Sequence, residues 1–191
     1  DGCYLNNSDF MAVYGKGSGF GLYFRIWNGT VWSGETTLID NIGNIPSWVD
    51  VGCRNDATEA MVAVIDQSSD VNTLFFNNTN GYTTNSWGFL TEHTVTLPDV
   101  RWEGIDLAWS NNDTSQGILI YVNGTSPTGA IGVTWNSTNS NLTWGQGYVS
   151  PTFGYTVGDT IIRAHPNNET YNNSFLVGFS RAAFSNPKPI R

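Results

Sequence analysis

The sequence predicts an all-β fold, an antiparallel β-sandwich or propeller-like body built from about three and a half tandem repeats of roughly four short strands. Three observations carry this. An aromatic residue, an Asn-x-Thr triplet and a second Trp recur as Trp27-Asn28-Gly29-Thr30-Val31-Trp32, as Phe76-Asn77-Asn78-Thr79 leading to Trp87, and as Trp135-Asn136-Ser137-Thr138 leading to Trp144. Apolar residues nowhere follow helical spacing, whereas short β-branched and aromatic runs alternate with clusters of Gly, Asn, Ser and Asp. The repeats return at about 50 to 58 residues, the length of a four-strand unit.

Taken in order, Gly2 to Leu5 reads as a short strand, Asn6 to Asp9 as a turn, and Phe10 to Tyr14 as a buried strand. The turn Gly15 to Gly19 leads to a strand over Leu22 to Trp27. After the first aromatic corner a fourth strand spans Glu35 to Ile39. The second unit brings strands at Trp48 to Cys53, Ala60 to Ile65, Asn72 to Phe76 and Thr91 to Leu97; of these, Ala60 to Ile65 is continuously apolar. The third has Gly104 to Trp109, Ile118 to Val122 and Ala130 to Trp135, and the fourth Ile161 to Ala164 and Phe175 to Phe179. One domain, 1-191, then comprises units of approximately 1-40, 41-97, 98-156 and 157-185, with 186-191 an extended, proline-broken tail. At each corner the first aromatic ends a strand, the polar triplet turns in solvent, and the second Trp re-enters the core.

Composition narrows the compartment and the partners. Charged residues make up only 13% and the net charge is -8, so there is no basic stripe for nucleic acid and little attraction to an anionic membrane surface. No apolar run reaches the roughly 18 residues that a membrane-spanning helix needs. A chain opening Asp1-Gly2-Cys3 reads as a mature secreted product from which a signal peptide has been removed. Cys3 and Cys53 fit one disulfide in an oxidising compartment, the alternative being two buried thiols. They occupy equivalent places in successive units, and a bond between them brings the opening strand beside Trp48 to Cys53.

Acceptor triplets for N-linked glycans begin at Asn6, Asn28, Asn77, Asn112, Asn123, Asn136, Asn141, Asn168 and Asn172. Chance in a chain this rich in Asn, Ser and Thr gives roughly four or five, so nine is an excess, although these triplets are also good turn chemistry. Covalent N-linked glycans on several of them are the expectation.

The Trp27-Asn28-Gly29-Thr30-Val31-Trp32 pattern, with Trp102 to Asp106 and Asp66 to Asp70 in the intervening strands, resembles the tandem β-repeats of large secreted prokaryotic surface proteins. That resemblance implies an extracellular β architecture and carries over no catalytic residue. In character the chain is also similar to subunits of glycosylated extracellular filaments and pili.

Little here converges for catalysis. His93 and His165 have no metal-ligand spacing, and no cofactor or metal is expected. Asp50, Glu103 and Asp106 are the carboxylates a glycosidase reading would use, yet Asp50 and Asp106 match in repeat position, which favours bonds to backbone. Asp66 to Asn72 has oxygen side chains at alternate positions, as a calcium loop begins, but lacks that loop's Gly and terminal Glu and reads as a β-turn. Trp27, Trp32, Trp87, Trp135 and Trp144 are expected to pack under the corners, with Trp48, Trp102 and Trp109 undecided.

The expected function is therefore a non-enzymatic structural subunit of an extracellular filament, pilus or surface layer. Copies of the chain would join by strand pairing, with Asp1, Gly2, Cys3, Tyr4 and Leu5 as the assembly strand. The alternative is a secreted carbohydrate-binding module.

Overall fold

The computed structural model describes residues 1–5, 9–54, 59–77, 82–83, 87–94, 103–110, 116–123, 129–136, 143–149, 160–166 and 175–181. These residues form strands and turns, with no helix among them. The first sheet is a meander of β1 (Gly2–Leu5), β2 (Asp9–Gly15), β3 (Leu22–Trp27) and β4 (Thr36–Ile39). The second is β5 (Pro46–Cys53), β6 (Glu59–Asp66), β7 (Val71–Asn77) and β8 (Trp87–Thr94). The third is β9 (Ile105–Trp109), β10 (Gln116–Asn123), β11 (Gly129–Asn136) and β12 (Thr143–Val149). The fourth holds β13 (Thr160–Pro166) and β14 (Phe175–Arg181). Every pairing is antiparallel. The fold is all-β. Thr143–Val149 is the strand that periodicity alone passes over, because its Gly-rich run has weak β preference and is held by its pairing to β11.

The sheets stack in series, each joined to the next near its first two strands: β5 against β1 and β2, β9 against β5 and β6, β13 against β9 and β10. Alternation assigns each residue to a face. In β2 and β3 the buried residues Met11, Val13, Leu22, Phe24 and Ile26 face inward, joining Val51, Ala60, Val62, Val64, Leu74 and Phe76 of the second sheet. The other face of that second sheet, with Met61, Ala63, Ile65 and Phe75, packs on Leu107, Trp109, Leu119, Tyr121 and Trp135 of the third. Ala108, Ile120, Val122 and Ala130 of the third sheet then meet Ala164.

This explains the continuous apolar run at Ala60 to Ile65. β6 is central in a sheet covered on both faces, so all of Glu59–Asp66 is buried. A simple two-layer sandwich would leave one side of that strand to polar residues. Each Val, Leu, Ile or Phe so enclosed contributes about 1.5–3 kcal/mol.

At the corners the two aromatics lie opposite each other on paired backbone. Trp27 lies opposite Trp32, Phe76 opposite Trp87 and Trp135 opposite Trp144. At the first corner Asn28 N–H donates to Val31 O at 3.3 Å, leaving Gly29 and Thr30 as a two-residue turn. Gly29 stands at φ 87°, a conformation that glycine adopts at little cost. The burial of the corner aromatics differs from the expectation: Phe76 and Trp135 are enclosed, but Trp32 is 47% exposed and Trp27 only half-buried. The reason is position, because Phe76 and Trp135 face the preceding sheet and, among the described residues, the first sheet has none.

Candidate functional site

One rule joins each sheet to the next and also builds the exposed surface at the start of the stack. Asp1 pairs with Val13 through both backbone bonds, Asp50 lies opposite Ala63, and Asp106 opposite Ile120. The three aspartates thus hold one register position on the first strand of three successive sheets. Each carboxylate reaches the same backbone group on the following sheet: Asp1 Oδ2 accepts from Val51 N–H at 3.0 Å, Asp50 Oδ2 from Leu107 N–H at 2.6 Å, and Asp106 Oδ2 from Ala164 N–H. A first strand is an edge strand whose outward N–H groups find no acceptor in their own sheet, and the ladder supplies one. The expectation that Asp50 and Asp106 bond backbone holds, with the bonds made across sheets rather than within a turn. At the fourth sheet the equivalent residue is Arg163, which donates to Glu103 Oε2 at 2.6 Å.

The same register corrects the reading of the cysteines. Counted from the ladder aspartates, Cys3 matches Gly52, and Cys53 matches Tyr4 and Trp109. The offset of one residue puts Cys3 and Cys53 on opposing faces of adjacent sheets, with Cα atoms 5.6 Å apart and the disulfide between them. The next junction fills the same slot without sulfur, as Trp109 Nε1–H donates to Gly52 O at 2.8 Å. A disulfide of this kind belongs with an oxidising environment.

Three features therefore mark the face by which a sheet sits on its predecessor: the N–H after the ladder position, the side chain two residues further on, and the corner aromatics. In the second sheet these are Val51 N–H, Cys53 and Phe76; in the third, Leu107 N–H, Trp109 and Trp135. In the first sheet they are Gly2 N–H, Tyr4 and the Trp27/Trp32 pair, and this face is open among the described residues. Tyr4 is 67% exposed, and Tyr4, Phe10, Trp27 and Trp32 line a pocket of about 250 Å³. Tyr4 meets Phe10 edge-on at 5.1 Å and Phe10 meets Trp32 edge-on at 6.3 Å, so the rings brace one another. Phe10 lies over Gly2, where a Cβ would come within 2.7 Å of the ring. Beyond them Tyr14 donates to Glu35 Oε2 at 2.8 Å and Lys16 Nζ to Glu35 Oε1 at 2.5 Å, with Lys16 over the Tyr23 ring. The Lys16 bond, followed by that from Tyr14, lowers the Glu35 carboxyl from its usual range.

Comparison with protein-family models, with curated proteins and with solved structures finds no match. The reading of this chain rests on its own residues.

Of Asp1, Gly2, Cys3, Tyr4 and Leu5, expected as an assembly strand, the last four form β1 and Asp1 continues its pairing to β2 through Val13, the segment being held also by the Asp1–Val51 bond and by the disulfide. Donation of that strand to a neighbour would break all three. Asp50 and Asp106 lie side by side rather than across a cleft: burial, then repulsion by Asp106, pushes the Asp50 carboxyl up to about 8. His93 bonds Thr73 Oγ1 at 2.8 Å, and burial holds it down at about 4. His165 lies within β13. Asp66 Oδ1 accepts from the N–H groups of Ser68 and Asp70, which is turn chemistry. Among the described residues no three His, Cys, Asp or Glu side chains form a metal cluster, and no helix is long and apolar enough to cross a membrane.

Of the glycan acceptors, Asn28 is exposed, its Oδ1 accepting from Thr30 N–H at 3.0 Å and Val31 N–H at 2.9 Å. Asn77 is half-buried and turns its amide nitrogen toward Glu59 Oε1 at 3.4 Å. Asn123 and Asn136 end β10 and β11. Asn6, Asn112, Asn141, Asn168 and Asn172 lie outside the described residues, as does Trp102.

Proposed function

We propose that this protein is a structural subunit of an extracellular assembly, a filament, pilus or surface layer of prokaryotic type, N-glycosylated and joined to further copies of itself. The observation that carries the reading is the direction of the stack. One contact rule joins the first sheet to the second and the second to the third, and the two ends differ: an aromatic face on one, the Arg163-bearing sheet on the other. Surfaces that are unlike and lie at opposite ends join head to tail, and head-to-tail contacts that do not close make filaments. The disulfide and the exposed Asn28 triplet support an extracellular setting. Since β1 is held in its own sheet, pairing between strands of different copies would use outer edges such as β4 and β14.

The test is electron microscopy of secreted protein together with intact mass. Regular filaments heavier per subunit than the 20.9 kDa polypeptide are expected, and uniform small particles at the bare mass would overturn the reading. The aromatic pocket favours a second reading, a carbohydrate-binding module in which Tyr4 or Trp32 stacks on a pyranose ring. Quenching of tryptophan fluorescence by neutral oligosaccharides, lost in Trp32→Ser, is its expected result.

A further inference from the structure

We infer that the outer face of the first sheet, centred on Tyr4, Phe10, Trp27 and Trp32, is the docking surface for the fourth sheet of a second copy of this chain. The inference rests on the structural reading above and names the junction.

The face continues the series of contacts inside the molecule. Val51 N–H, Cys53 and Phe76 are covered by the first sheet, and Leu107 N–H, Trp109 and Trp135 by the second. Gly2 N–H, Tyr4 and the Trp27/Trp32 pair occupy the corresponding positions on the first sheet and have no covering sheet among the described residues. Phe75 and Trp135, 4.8 Å apart across the junction of second and third sheets, show how a corner aromatic is taken up when a sheet covers it. At the far end the fourth sheet is seated on the third through Ala164. Along the stack it is the last sheet among the described residues, as the first sheet is the first.

Composition agrees with a protein partner. Exposed Tyr and Trp with Arg25 alongside are the residues enriched at the centres of protein interfaces, and Trp, Tyr and Arg carry most hot spots. The face also differs from its buried counterparts in a way that suits a reversible junction. At the places of Tyr14 and Tyr23 the second sheet has Val64 and Asn72 and the third Tyr121 and Ile131, whereas here Tyr14, Lys16 and Glu35 form a hydrogen-bonded rim, with Lys16 over the Tyr23 ring, that water can wet before docking. Across the junction the ladder position holds Arg163, whose side chain keeps 48% of its surface while paired with Glu103. Docked by the internal rule, that guanidinium stands beside Gly2 and over the Phe10 and Tyr4 rings. There a cation gains from the aromatic faces where an Asp would gain from the N–H.

The experiment is sedimentation velocity of the full glycosylated chain, comparing wild type, Trp32→Asp and Arg163→Ala, with thermal melting as a check on folding. Wild type assembles. Each variant alone is expected to weaken association by about 30-fold or more, the effect of losing one hot spot. An equimolar mixture of the two is expected to stop at dimers, because each variant retains one intact surface. Wild-type assembly with both folded variants assembling equally well would overturn this junction and leave the structural reading in place. A wild-type protein that stays monomeric at all concentrations would overturn both. Should a variant melt early, Tyr4→Ser, altering a 67% exposed side chain, replaces it in the same comparison.

Discussion

Replacing Asp50 removes one rung of the inter-sheet ladder, and its consequence can be worked from the bonds. Asp50→Ala takes the acceptor from Leu107 N–H, whereas Val51 N–H keeps Asp1 Oδ2. One buried N–H is left without a partner, at a cost of about 1–3 kcal/mol. Asp50→Asn keeps an acceptor oxygen and resembles the protonated acid, so near neutral pH it costs little. The pH dependence separates the variants further. Asp50 lies against Asp106, with Asp1 and Arg163 at the neighbouring rungs, and is pushed up from 3.8 to about 8. The native state therefore keeps a proton that the unfolded chain has released, and this group's stability contribution falls as pH rises from 3.8 to about 8, then levels off. His93 acts the other way: held at about 4 against an ordinary 6.5, it makes stability rise with pH across that interval and adds nothing above it. Between pH 6.5 and 8 the Asp50 slope is the one left of the two, about 1.4 kcal/mol per unit, or up to about 2 kcal/mol. Urea midpoints read by tryptophan fluorescence at both ends of this interval test it. Wild type should lose stability across it and Asp50→Asn should not. An Asp50→Ala midpoint equal to wild type, or a wild-type slope that Asp50→Asn shares, would refute the reasoning.

Reducing the Cys3–Cys53 bond, which closes a separation of 50 residues, should lower unfolding free energy by about 4 kcal/mol on the chain-entropy account, seen as a drop in urea midpoint with reductant. Trp109→Ala should cost about 3–5 kcal/mol as a cavity between second and third sheets, while Trp109→Phe, which loses the bond to Gly52 O and part of the ring volume but keeps an aromatic in the slot, should cost less, about 1–3 kcal/mol, in the same melts. Peptide mass spectrometry of secreted protein should find a glycan on Asn28, whose amide is exposed, and none on Asn77, whose amide nitrogen faces Glu59. A glycosylated Asn77 would mean that the turn opens before the chain is modified.

Legible in the sequence alone were the all-β class, most strand positions, the strand-turn-strand corners and one disulfide between Cys3 and Cys53. All of these follow from local chemistry: alternation, β-branched runs, Asn-Gly turns and the arithmetic of two cysteines. It also marked Asp50 and Asp106 as matched, because equivalent positions in a repeat stay aligned along the chain. Only the tertiary structure decided what faces what. A shift of one residue along a strand moves a side chain to the opposite face, so that Cys3 answers to Gly52 and the cysteines meet between sheets. The same parity sends each aspartate to the N–H of the following sheet, and Phe76 and Trp135 toward the preceding one. Periodicity cannot tell Trp27 from Trp135, since both open the same corner pattern. Which is buried depends on whether another sheet lies against that face, a fact held by residues far away in sequence.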